Sequence, residues 1–213
     1  MTDLHNSINK ESLLVDNHYF PNINWFKNSI KFSYIIFSPI ERYKKMTFRN
    51  RCVVAGSNGL VPLSVPIENG RNQKLPFKDV RIARDEPWQK QHWRTISSCY
   101  GKAPFFEYYA DYFRPFFERD YVFLFDMNME IINTINKYII VNQDIIINDS
   151  HSLINGCTAY QEDLPKNFQE KSSIRYAQLF EDKIGFQPNL SILDVLFMEG
   201  PNAKNILLDN DCN

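Results

Sequence analysis

Hydrophobic and polar positions along this chain follow two periods, and each period names an element. Leu13 to Val15 is a short apolar run closed by Asp16-Asn17-His18, which predicts a buried strand feeding a polar loop. After Pro21, the apolar positions Ile23, Phe26 and Ile30 fall at helical spacing. Lys31 to Phe37, reading KFSYIIF, predicts a second strand. Strand, helix, strand is the opening of a βαβ unit, whose strands pair in parallel. Ligands in such sheets sit beyond the carboxyl ends of the strands. His18, Tyr19 and the loop after Phe37 are therefore expected on one rim.

The pattern then changes. Residues 41–51, ERYKKMTFRNR, set five basic residues against Glu41. A strand from Phe48 to Val54 would turn Arg49 and Arg51 to one face. Asn58-Gly59 is a hairpin signal, with Leu60 to Ile67 as the returning strand. Phe77, Val80 and Ile82 predict a third short strand, giving an antiparallel insertion around residues 46–83. The segment Pro87 to Tyr109 is the densest in aromatic residues. Asp85 or Glu86 is placed to cap a helix there, Pro87 suits its first turn, and Gly101 follows its end. Trp88, His92, Ile96 and Tyr100 recur every four residues and share one face. A further helix is expected after Pro104, kinked or ended at Pro115. Another is expected from Tyr121 to Tyr138, followed by a short strand at Ile145 to Ile147.

Asn148 to Gly156 reads as a linker, continued by the charged stretch Gln161 to Lys171. Tyr176, Leu179 and Phe180 resume helical spacing. Asn189-Leu190-Ser191 offers a cap before an apolar helix that Gly200-Pro201 ends. The expected fold class is α/β: a parallel-sheet core, an antiparallel insertion and a helical second half. The expected organisation is a core domain over residues 12–149, a C-terminal helical appendage over 150–203, and flexible tails at 1–11 and 204–213.

Composition narrows the function classes. The chain has 213 residues, 44% hydrophobic, enough for a sizeable core. Its net charge of -1 gives no global pull toward nucleic acid or a membrane surface. No apolar run approaches the ~20 residues that span a bilayer, and the polar start is unlike a secretory leader. Cys52, Cys99, Cys157 and Cys212 lack CxxC spacing, which fits reduced thiols and a cytoplasmic location. No phosphate loop, GxGxxG, GxSxG or HExxH is present. His5, His18, His92 and His151 are too far apart to claim as metal ligands, and the sequence names no cofactor.

The candidate chemistry rests on a few side chains. Arg49 and Arg51, with Asn50 between them, would clamp a phosphate, diphosphate or carboxylate through guanidinium forks. A solvated, charged edge strand is the alternative. His18, at the end of the first strand, suits an imidazole that contacts a ligand. Tyr19 and Trp88 would stack on a ring and Tyr100 is a further substrate-binding candidate, or else these rings belong to the core. His92 is a candidate general base with Glu107 as its partner, or a satisfied core histidine.

The order NHYFPNINWF, KFSYIIF, TFRNRC, LSVPI and PWQKQHWRTISSCYGKAPFFEYY resembles the WbqC-like family. FQPNLSILDVLFMEGPNA resembles the end of its Bacteroidetes-type members. The likeness covers residues 12–203. Tyr19, Pro21, Arg49, Asn50, Arg51, Trp88, His92 and Tyr100 match the family pattern, whereas many members carry glutamine where this chain has His18. The opening also resembles nucleotidyltransferases of the HIGH type, but that motif's second histidine and its glycine are absent. The resemblance implies work in the biosynthesis of O-antigen and other surface polysaccharides. Two functions follow as expectations. One is a transferase-like enzyme whose partner is a small anionic metabolite, such as a nucleotide sugar or an acyl donor. The other is a non-catalytic scaffold of a glycan-assembly complex, with a homodimer as a third use of the same surface. Neither nucleic acid binding nor membrane insertion is expected.

Overall fold

A computed structural model describes residues 11–70, 74–139, 143–149, 157–160 and 174–208. Strand β1 (Ser12–Val15), helix α1 (Ile23–Ser29) and strand β2 (Tyr34–Phe37) form the βαβ unit that the opening pattern predicts. Asn22 caps α1 by accepting from the Trp25 amide at 3.0 Å. Trp25 stacks on Phe37 at 6.2 Å, which seats the helix on β2. The hairpin β3 (Arg51–Gly56) and β4 (Gly59–Ser64) is antiparallel and follows the Asn58-Gly59 signal. Gly59 has φ +131°, a conformation that a side chain would disfavour.

Helices α2 (Trp88–Tyr100), α3 (Phe106–Phe113) and α4 (Leu124–Ile139) follow. The expected face of α2 is the buried one: Trp88, His92, Ile96 and Tyr100 are all inside. Pro115 sits in a 3₁₀ turn, Arg114–Phe117, that ends α3. Leu124, Met127, Ile131, Ile132 and Ile135 give α4 a fully buried stripe. Strands β5 (Asp144–Ile147) and β6 (Thr158–Tyr160) come next. The chain closes with α5 (Glu181–Ile184), α6 (Ile192–Glu199) and α7 (Ala203–Leu208). Every residue from Ile192 to Phe197 is buried, so α6 runs through the core.

The parallel sheet has the order β5-β2-β1-β6 among the described residues. From β1 the chain moves outward to β2 and β5, then returns to the opposite side of β1 as β6. That reversal makes the carboxyl end of β1 a topological switch point, where open parallel sheets hold their ligands. The molecule is α/β with a parallel core, an antiparallel pair and a helical second half, as the sequence predicts.

Several expected elements differ. Phe48–Asn50 is a 3₁₀ turn, because Thr47 caps it by accepting from the Arg49 amide; the strand begins only at Arg51. Phe77–Asp79 is likewise a 3₁₀ turn, and only isolated bridges join Ile67 to Ile82 and Arg81 to Phe123. Neither Asp85 nor Glu86 caps α2; Pro87 occupies the cap position and makes no side-chain cap bond. Residues 174–180 are non-helical up to α5. The span expected to be helical also supplies β6, whose register is set by β1. The tail expected from residue 204 remains helical through Leu208, held by the buried Leu207. His5 and His151, the stretch 161–171 and most of the expected linker lie outside the described residues.

Candidate functional site

The loops after β1 and β2 carry the polar groups nearest the switch point. Asp16, Asn17 and His18 follow β1, and Ser38 follows β2. The 3₁₀ turn lays Arg49 across this rim. The Arg49 Nη2 donates to Asp16 Oδ1 at 2.5 Å and to Glu41 Oε2 at 2.8 Å. Its Nη1 donates to the Arg42 carbonyl at 3.1 Å, and its guanidinium lies 5.0 Å over the Phe77 ring. Arg49 is only 1% exposed. Burial alone would raise the Asp16 pKa, but the charges of Arg49, His18 and Lys44 and the Arg49 hydrogen bond overcome it and hold the carboxyl below its ordinary value.

Helix α4 roofs this cluster with two residues one turn apart. Asn17 Nδ2 donates to the Phe125 carbonyl at 3.4 Å, and Asn128 Nδ2 donates to the Arg49 carbonyl at 2.7 Å. Asn17 Oδ1, Ser38 Oγ and Asn128 Oδ1 are buried and make no hydrogen bond among the described residues. Each such group costs about 1–3 kcal/mol unless something satisfies it. His18 is buried beside Phe48, with ring centroids 5.6 Å apart. Burial pulls its pKa down to about 4; Asp16 opposes that pull and Arg49 adds to it. The imidazole is therefore neutral at physiological pH.

The two arginines part company. Arg49 points into the sheet rim, and its charge is already met by two carboxylates. Arg51 begins β3, half-buried, with its Nε donating to Ser64 Oγ at 3.1 Å. It lines a separate hollow of about 300 Å³ with Tyr43, Asn50, Met46 and Pro66. Asn50 fixes that wall by accepting from Tyr43 Oη at 3.0 Å and donating to the Val65 carbonyl at 2.9 Å. The expected two-arginine fork on one strand face is not formed, because the 3₁₀ turn breaks the alternation between positions 49 and 51.

The aromatic candidates lie in the core. Tyr19 is fully buried, and its hydroxyl lies 2.9 Å from His92 Nδ1. His92 also has a backbone hydrogen bond with Ser64, and burial lowers its pKa to about 4 despite that bond. Trp88 meets His92 edge-on at 5.2 Å. Tyr100 accepts from the Ala55 amide at 3.1 Å and donates to Asp194 Oδ1 at 2.7 Å. None of these rings is open to stack on a ligand. Glu107 is exposed in the first turn of α3 and makes no hydrogen bond with His92, so the expected base and partner are not brought together.

The sequence pattern places the loops of Asp16, Asn17 and Ser38 beside the rim but gives none of the three a role, and it passes over Asn128 and Asp194. Asp16 carried one readable signal, a carboxylate directly after an apolar strand. Asp194 carried another, a lone acid inside ILDVLF. Its carboxylate accepts from Tyr100 and from Tyr176, each at 2.7 Å. Burial still lifts its pKa to about 6 against the lowering effect of both hydroxyls.

Among known proteins, the chain is similar to the "Uncharacterized protein Rv1507c" of Mycobacterium tuberculosis (strain ATCC 25618 / H37Rv). The two are 27% identical over 233 residues, spanning 93% of this chain and 97% of the relative. No solved structure matches. The WbqC-like protein family matches residues 17–162 and 158–206, which include the rim from Asn17 onward, the hairpin and α6. With most of its length matched, roof helix included, the chain belongs to the WbqC-like protein family.

Proposed function

We propose that this chain is a cytoplasmic transferase of surface-polysaccharide biosynthesis. Its substrate is a phosphorylated or nucleotide-linked sugar, or an acyl donor for one, held over the carboxyl ends of β1 and β2. One observation carries this reading: Asn17 Oδ1, Ser38 Oγ and Asn128 Oδ1 are buried polar atoms with no partner among the described residues. Two of them are amide oxygens, which accept only. Sugar hydroxyls supply the matching donors. The anionic group goes to Arg51, which faces its 300 Å³ hollow and has no carboxylate partner among the described residues. Arg49 then holds the rim in shape and His18 offers a neutral imidazole. Membership in the WbqC-like family supports the polysaccharide setting that the resemblance implies.

The test is a thermal-shift screen against nucleotide sugars, sugar phosphates and acyl donors. A binder stabilises the folded state by mass action. Arg51→Ala should weaken the hit by about 1.5–3 kcal/mol, the worth of a charged hydrogen bond. Asn17→Ala with Asn128→Ala should weaken sugar-bearing ligands but not inorganic phosphate. No stabilisation by any compound, or a hit indifferent to both variants, overturns the reading.

The scaffold reading has one feature in its favour. Tyr108 and Tyr112 are 58% and 44% exposed, and Tyr112 lies 4.9 Å from the Tyr138 ring. The neighbouring rings Tyr109, Phe113, Phe116 and Phe117 are buried. Sedimentation of the Tyr108→Ser, Tyr112→Ser variant tests self-association through this patch.

A further inference from the structure

The outer face of α2 carries a second constellation that neither the rim nor the core uses. Lys90, Trp93 and Arg94 stand at i, i+3 and i+4, so they share one helix face. That face and the 3₁₀ turn Arg114–Phe117 enclose a hollow of about 500 Å³, which Arg114, Phe117 and Glu118 complete. Gln89 ties the two walls together, donating to the Phe116 carbonyl at 3.5 Å and the Arg119 carbonyl at 2.6 Å. The half-buried indole of Trp93 stacks against Phe106 at 6.1 Å and tilts over Phe117 at 5.5 Å, so its orientation is fixed by packing.

Two of the three cations here are unpaired among the described residues, unlike Arg49: the side chains of Lys90 and Arg94 make no hydrogen bond or ion pair there. The pair between Arg114 and Glu118, at 2.6 Å, is more than half exposed on both sides and is weak for that reason. Three cations and one carboxylate line the hollow of a chain whose net charge is -1. A fixed aromatic floor beside uncompensated cations recognises a flat ring that carries an anion. The indole and the guanidinium planes hold the ring, and the ammonium and guanidinium groups hold the charge. The volume falls within the roughly 300–1,000 Å³ of small-molecule sites.

We propose that this hollow binds a nucleoside phosphate, its base against Trp93 and its phosphate between Lys90, Arg94 and Arg114. The site lies on the face of α2 away from His92, and it stands or falls independently of the sugar site on the rim.

Trp93 is itself the probe. Trp25 is 0% and Trp88 5% exposed, so soluble quenchers of indole emission reach Trp93 first. The full chain is titrated with AMP and UMP, with ribose 5-phosphate and inorganic phosphate as controls, at low and high salt. The expected result is a saturable change in emission and protection from iodide by the nucleotides, weaker at high salt. Binding should fall at least about tenfold in Lys90→Ala, Arg94→Ala, whose side chains make no hydrogen bond or ion pair among the described residues. Trp93→Phe should abolish the optical signal and weaken binding measured by calorimetry. Arg51→Ala should leave the Trp93 signal and its saturation unchanged, whereas it weakens a sugar phosphate bound through Arg51. No saturable change, equal binding of inorganic phosphate and nucleotides, or nucleotide binding lost in Arg51→Ala while intact in Lys90→Ala, Arg94→Ala overturns the proposal.

Discussion

Replacing Arg49 with methionine tests whether this arginine is a structural counter-ion. Methionine keeps much of the volume over Phe77 and removes only the charge and its hydrogen bonds. Two carboxylates then face each other without a cation: Asp16, 15% exposed at its side chain, and Glu41, 31% exposed. Breaking a buried pair by deleting one partner costs about 3–5 kcal/mol. Glu41 reaches solvent and relaxes, so the lower end is expected, roughly 3 kcal/mol at pH 7. For a domain of this size that is a fall of about 6–12 °C in Tm. The pH dependence sharpens the test. In the native chain the Asp16 pKa lies below 3.8. Its contribution is present above that value and is lost only as pH falls through the depressed pKa. Without Arg49, burial dominates and the carboxyl titrates above its ordinary value. The variant's deficit should therefore shrink as pH falls from 7 toward 4, where Asp16 takes up a proton. Asp16→Asn in the Arg49→Met background should recover more than about 1 kcal/mol. Urea unfolding followed by indole emission, from pH 4 to 8, measures all three. A deficit below about 1 kcal/mol, or one constant with pH and unrelieved in the double variant, would refute the counter-ion role.

Three further outcomes are expected. The raised Asp194 pKa, about 6 against 3.8, means that its contribution to stability is present below pH 3.8 and is lost as pH rises through about 6. Asp194→Asn should remove that slope, on the order of 3 kcal/mol in urea unfolding across pH 4–7. His92 acts in the opposite sense: its pKa, lowered to about 4, gives stability above 6.5 that is lost as pH falls toward 4. His92→Gln should flatten the acid limb of a Tm-against-pH curve by roughly 3 kcal/mol. Gly200 has φ +55°, and an added Cβ would lie 2.5 Å from the Phe105 ring. Gly200→Ala should therefore cost more than about 2 kcal/mol by thermal unfolding, above a bare propensity effect.

What could be read in the sequence was local. YIIF is a strand because its apolar run fits a sheet covered on both faces, and Asn22 caps α1 from within three residues. The face of α2 followed from a spacing of four. Strand β6 carries no such pattern; three residues become a strand because β1 offers an unpaired edge. The strand expected from Phe48 starts late because a single cap bond, from the Arg49 amide to Thr47 Oγ1, decides between turn and strand.

The candidate site failed to show itself on stronger grounds. A sequence displays a charge but not its compensation. Five basic residues against one acid in 41–51 suggested a cationic patch, yet the deepest of them is matched by Glu41 and by Asp16, 33 residues earlier. Tyr100 is a substrate-binding candidate in the sequence, and its hydroxyl instead serves Asp194, 94 residues away. Which cation can receive a ligand is set by which carboxylates the fold brings near, and those arrive from distant segments. Lys90 and Arg94 followed no rarer a motif than Arg49 and Arg51. They are unpaired among the described residues because α2 carries them away from its buried face, where His92 meets Tyr19. Where a chain is close to neutral, anion sites are found by asking which cations the fold leaves unanswered, and that is a property of its long-range contacts alone.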